Sequence, residues 1–173
     1  MSTRSVWFAL LILCAAARAE GLGIGAPASE VLVRAWNIDI APDGRGLPPG
    51  EGSVTRGAQL YAERCAPCHG RGGEGKPEDR LSGGRGTLAS GTPVKTVGSF
   101  WPYATTLFDY IRRAMPFNAP QSLGDEEVYA LVAYLLYVNG IVQADAVIDA
   151  HSLPAVRMPN RGGFISDPRP DTR

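Results

Sequence analysis

Hydrophobic and polar positions along this chain of 173 residues fall into three helical patterns set among stretches rich in glycine and proline. Val54 to Arg64 reads as a helix with Ser53 as its N-cap. Gly57, Ala58 and Tyr61 lie three or four apart on one face, which would let another helix approach closely. A second helix is predicted over Tyr103 to Ala114, where Leu107, Ile111 and Ala114 at i, i+4 and i+7 form one buried stripe. Pro116, after Met115, stops it, because a proline ring disfavours helical geometry at the preceding residue. The strongest pattern runs from Asp125 to Asn139, with Val128, Leu131, Val132, Leu135 and Val138 as a wide apolar face. Asp125, Glu126 and Glu127 suit the positive end of that helix dipole, and Asn139-Gly140 reads as its C-cap pair.

The intervening stretches lack such periods. Residues 70–98 are glycine-rich and read as a loop. Residues 20–52 read as an irregular N-terminal arm, with turn signals at Pro42-Asp43-Gly44 and Pro48-Pro49-Gly50 and one apolar run from Val31 to Ile40. Residues 141–173, carrying Pro154, Pro159, Pro168 and Pro170, read as an extended C-terminal tail. The expected fold is therefore all-α, with a core over residues 53–140 small enough to need a staple or cofactor at its centre. Ahead of the arms, Arg4, the apolar stretch Val6 to Ala17 and the small-x-small triplet Ala17-Arg18-Ala19 read as a signal peptide over residues 1–19. Its apolar run falls short of the ~20 residues that cross a bilayer, so no membrane span is expected after cleavage.

Charge and cysteine content narrow the chemistry. The chain has 17 basic and 17 acidic residues, and losing Arg4 and Arg18 with the signal leaves 15 against 17. No clustered basic face suggests a nucleic-acid partner. Cleavage also removes Cys14, leaving Cys65 and Cys68 in the motif Cys65-Ala66-Pro67-Cys68-His69. Two thiols at this spacing reach both vinyl groups of a haem, and the adjacent imidazole falls on the iron, so one covalently bound haem c with His69 as axial ligand is expected. A structural zinc site would need four ligands, and His151 is the one other candidate. A thioredoxin-type pair would sit near a βαβ pattern that is absent, and a plain disulfide leaves His69 unexplained. For the sixth ligand, elimination leaves Met115, Met158 and His151. Met115 is favoured because it lies between two helices, where chain can cross the open haem face, while the other two lie in the tail. Trp101 and Arg112 are read either as partners of the haem propionates or as core packing and a solvated face. Tyr61 and Tyr134 read as packing at a helix crossing.

Gly57-x-x-x-Tyr61-x-x-x-Cys65-Ala66-Pro67-Cys68-His69-Gly70, then Ala114-Met115-Pro116 and Glu127-Val128-x-Ala130-Leu131-x-Ala133-Tyr134-Leu135, resembles class I cytochromes c. The resemblance implies that the first and last helices cross and that His69 and Met115 are the axial ligands. A narrower likeness lies in Trp36-Asn37-Ile38-Asp39, Gly86-Thr87-Leu88-Ala89-Ser90, the run from Lys95 to Thr106 and Val156-Arg157-Met158-Pro159-Asn160. These resemble the cytochrome subunit of periplasmic sulfite or sulfane dehydrogenases. That likeness implies a periplasmic electron-transfer subunit, not an enzyme on its own, that accepts electrons from a molybdopterin-containing dehydrogenase subunit. It would pass them to a downstream cytochrome or oxidase of the respiratory chain. The single CxxCH departs from longer members that carry two haems. The Val31 to Ile40 run and the Arg157 tail are candidate partner contacts, since neither shows a helical face that would add to the core. The alternatives are a freely diffusing cytochrome c serving other dehydrogenases, or a haem peroxidase or gas sensor with an open iron position.

Overall fold

The computed structural model describes residues 25–167 and residue 169, so the signal peptide expected over residues 1–19 lies outside the described residues. The chain divides into two units, one ending at Ile38 and the other beginning at Asp39. In the first unit, Glu30–Trp36 forms helix α1, N-capped by Ser29, whose hydroxyl accepts from the Leu32 N–H at 3.3 Å. None of its residues is buried.

The second unit holds strand β1 (Glu51–Ser53), helices α2 (Val54–Arg64), α3 (Ala66–His69), α4 (Ala104–Ala114) and α5 (Asp125–Val138), and strand β2 (Val147–Asp149). A 3₁₀ turn follows at Leu153–Ala155. The helix positions follow the sequence pattern. Ser53 caps α2, its hydroxyl accepting from the Arg56 N–H at 3.2 Å. The Glu127 carboxylate accepts from the Gly124 N–H at 2.9 Å at the start of α5.

Helix α5 is the centre of this unit. Val128 to Ala133 are all essentially inaccessible, so it is buried on more sides than the one face its periodicity suggests. It is enclosed because α2, α4, β1 and β2 all pack on it. The crossing with α2 is made possible by Gly57, where a Cβ would collide with the Ala130 carbonyl oxygen. Tyr61 and Tyr134 stack at that crossing with ring centroids 5.0 Å apart. On the other side Phe108 of α4 meets Tyr129 at 4.5 Å.

The extensions differ from the irregular arms that the sequence suggested. β1 pairs antiparallel with β2, Glu51 opposite Asp149, Gly52 opposite Ile148 and Ser53 opposite Val147. Ile40 on the arm, and Ile148, Leu153 and Met158 on the tail, are buried in the same core as the helices. Residues on both sides of 53–140 therefore build this core. The arm is also tied by hydrogen bonds: Ile40 N–H to Asp109 at 3.0 Å, Thr105 hydroxyl to the Pro42 carbonyl at 3.1 Å, and Tyr129 hydroxyl to the Pro48 carbonyl at 2.8 Å. The tail escaped periodic reading because its core residues are spaced singly, with no helical or strand repeat. Each fully buried side chain of this size still contributes roughly 1.5–3 kcal/mol.

Candidate functional site

The junction of α2 and α3 winds the cysteine motif into one helical turn. Cys65 is the C-cap of α2, and its N–H donates to the Tyr61 carbonyl at 2.9 Å. The N–H groups of Cys68 and His69 then both donate to the Cys65 carbonyl, at 3.1 and 2.9 Å. Pro67 sits in the first turn of α3, where a missing N–H costs no intrahelical bond. Cys65 is half-buried against the core and Cys68 is exposed. Burial, and secondarily Cys68, pushes the Cys65 thiol up to about 11. Among the described residues no group of three or more His, Cys, Asp and Glu side chains is arranged to hold a metal ion.

His69 is half-buried, and its Nδ1 lies 2.7 Å from the backbone carbonyl oxygen of Asp79. A carbonyl can only accept, so Nδ1 carries the proton and Nε2 keeps the lone pair a metal requires. The loop that brings this carbonyl into place starts at Gly70, whose φ of 81° favours glycine. Gly75 N–H donates to the His69 carbonyl at 2.8 Å and Glu78 N–H to the Cys68 carbonyl at 2.9 Å. The Tyr61 hydroxyl donates to the Gly70 carbonyl at 2.9 Å. Glu74 accepts from the Gly72 N–H at 2.7 Å. Its own N–H first, then those of Gly72 and Arg71, hold its carboxyl below the ordinary range. Further along, the Asn139 side chain donates to the Leu81 carbonyl at 3.1 Å and accepts from the Gly83 N–H at 3.2 Å, fastening the loop to the end of α5.

Met115 ends α4 in an extended conformation (φ −117°, ψ 147°) with its N–H on the Ile111 carbonyl at 3.1 Å. Its side chain is half-buried against the core, as are Leu81 and Trp101. Of the rival ligands, Met158 is 3% exposed and packed inside the core, while His151 is exposed on a surface turn. Trp101 meets Tyr110 edge-on with centroids 5.7 Å apart. The two arginines before Met115 do not form a free solvated face. Arg112 pairs with Asp125 at 3.1 Å, and Arg113 with Asp109 at 2.8 Å and Asp39 at 2.6 Å.

Sequence reasoning missed the parts of the site that act through the backbone. The Asp79 carbonyl has no signature, since any residue could supply it. Tyr61 was legible as packing but not as a donor to Gly70. Glu74 had a faint signal, as a lone acid inside a glycine run where backbone N–H groups converge.

The family model described as cytochrome C oxidase, cbb3-type, subunit III, matches residues 52–135. This span contains the cysteine motif, Met115 and the α2–α5 crossing. The chain is also similar to a chain of the sulfane dehydrogenase SoxCD from Paracoccus pantotrophus, with 44% identity, a TM-score of 0.81, and coverage of 88% of this chain and 75% of that one. Two curated relatives named thiosulfate dehydrogenase match more weakly. One, from Psychrobacter arcticus, is 27% identical over 110 residues, covering 61% of this chain and 33% of the relative. The other, from Stutzerimonas stutzeri, is 30% identical over 112 residues, covering 58% and 35%. The chain spans about a third of the length of these two relatives. It belongs to the class I cytochromes c, electron carriers whose domain holds haem c. Within them it is related to the matched chain of SoxCD, a sulfur-oxidation protein.

Proposed function

We propose that this protein carries one haem c, bound through thioethers at Cys65 and Cys68 with His69 and Met115 as axial ligands, and relays single electrons. The observation that carries this reading is the wound Cys65–His69 turn, with the His69 Nδ1 held by a carbonyl so that Nε2 is the metal-binding nitrogen. The haem supplies the ferric–ferrous couple. The chain supplies attachment, orientation and exclusion of water. Cys65 and Cys68 fix the porphyrin to a rigid helix end, and the Asp79 carbonyl sets the imidazole ring orientation. Half-buried Leu81, Trp101 and Met115 form apolar surface continuous with the core. A thioether ligand favours ferrous iron and raises the potential, which suits an acceptor of electrons.

In this reading the donor is a molybdopterin-containing sulfite or sulfane dehydrogenase subunit in the periplasm, and the acceptor is a downstream cytochrome or oxidase. The likeness to a SoxCD chain supports it. No helix among the described residues is long and apolar enough to cross a membrane. Helix α1 is the part of the Val31 to Ile40 run suited to partner contact, with Val31 and Trp36 70% and 79% exposed, whereas Ile40 is committed to the core.

The test is paired. In exported protein, Met115→Ala should abolish the far-red methionine-to-iron band while the covalent haem mass remains. Met158→Ala should keep the band but lose roughly 2–5 kcal/mol of stability, as large-to-small changes in a core do. A bare polypeptide mass, or a band lost in Met158→Ala instead, would refute the assignment.

A further inference from the structure

The segment carrying Met115 leaves α4 at Ala114 and enters α5 at Asp125. Its base is closed by one ion pair. Arg112, in the last turn of α4, sets its Nε 3.1 Å from Oδ1 of Asp125, the first residue of α5, with side chains 23% and 37% exposed. Arg113 does not share this task, because Asp109 on its own helix and Asp39 on the arm hold it. At the α5 end, buried Leu123 and the Gly124–Glu127 hydrogen bond anchor the segment. Between these anchors the chain is open to solvent, with Phe117 86% exposed and Asn118, Pro120, Gln121 and Ser122 also exposed. Met115 is half-buried and lies three residues, about one helical turn, after Arg112.

We infer that the Arg112–Asp125 pair is a clasp across the foot of this segment that positions the Met115 thioether for its role as sixth ligand. The inference rests on the Met115 assignment made above. Arg112 is a positioning residue. It acts through the spacing of α4 and α5, with Arg112 in the last turn of α4 and Asp125 in the first turn of α5, so each charge sits at the helix end whose dipole favours it. With the clasp open, the segment loses its one ion pair between α4 and α5 and keeps Leu123, the Gly124–Glu127 hydrogen bond and the Ala119 N–H to Pro116 carbonyl bond. An external ligand then competes better with Met115 for the iron.

The experiment uses the exported holoprotein and ferric titration with imidazole as probe. Arg112→Gln and Asp125→Asn should each bind imidazole about fivefold more tightly than the parent, the ratio a partly screened ion pair supports. Covalent haem content should be unchanged. The double variant should show no more than the larger single effect, because either change opens the same clasp. Arg112→Lys should recover part of the parent affinity. Asp125→Asn keeps the side-chain shape and decides the matter where Arg112→Gln folds poorly. Parent-like imidazole affinity in both single variants, or additive effects in the double, would overturn the clasp. A separate arm checks the underlying assignment: a far-red band that survives Met115→Ala would overturn both, whereas loss of that band with unchanged affinity in the Arg112 and Asp125 variants would overturn the clasp alone.

Discussion

Replacing Gly57 with alanine tests the packing on which the site is built. The added Cβ would meet the Ala130 backbone, coming within 2.6 Å of its carbonyl carbon and 2.8 Å of the Tyr134 Cβ, well inside van der Waals contact. A backbone carbonyl in the middle of α5 cannot rotate away, so α2 and α5 must separate along their crossing. Overpacking of this kind costs about 1–3 kcal/mol, and backbone atoms as the obstacle place the cost at the upper end. Alanine in a helix interior recovers about 0.5–1 kcal/mol through its better helical propensity. The net expectation is a loss of about 2 kcal/mol. With a urea dependence of about 1–3 kcal/mol per molar, the unfolding midpoint should fall by about 1 M. Gly91→Ala is the matched control, since a Cβ there meets nothing within 4 Å and the backbone is not left-handed. It should stay within about 0.5 kcal/mol of the parent. A Gly57→Ala midpoint equal to that of Gly91→Ala would refute the close crossing as the basis of the fold.

Two further predictions concern the arm and the buried tyrosines. Asp109→Ala should cost about 2 kcal/mol in urea unfolding, because this half-buried carboxylate accepts from Ile40 N–H and from Arg113. Asp39→Ala should cost less than about 0.5 kcal/mol, since its side chain is 73% exposed and the pair is screened; equal costs would contradict the view that Asp109 holds the arm. Burial raises Tyr129 from 10.0 to about 12 and raises Tyr61 as well. Below about pH 10 both are protonated folded or unfolded, and the stability they contribute is fully present. As pH rises towards 12 the unfolded chain ionises first, so that contribution is lost. Urea titrations across this range should show a steep alkaline loss of stability that is shallower in Tyr129→Phe, and an unchanged slope would count against burial as the cause.

The three long helices and the cysteine turn could be read from the chain because each is specified by neighbours in sequence. Ser53, Asn139 and Pro116 mark ends through local backbone chemistry, and the Cys65–His69 spacing is a single-turn property. Met115 could be singled out among few candidates, but its rivals separate only in three dimensions, where Met158 is buried in the core and His151 lies on the surface. The arms were misjudged for a related reason. Ile148, Leu153 and Met158 occur singly between turns, and burial of isolated side chains leaves no period to detect.

By itself, then, the sequence determined the helices, the cysteine turn and the cytochrome c class, all set by contacts within a few residues. Tertiary structure alone decided that both extensions complete the core, that the Asp79 carbonyl orients His69, and that Arg112 reaches Asp125 rather than solvent. Those outcomes depend on backbone carbonyls and charges brought together from distant parts of the chain. A carbonyl is common to every residue and a charge is silent about its partner until the helices have packed.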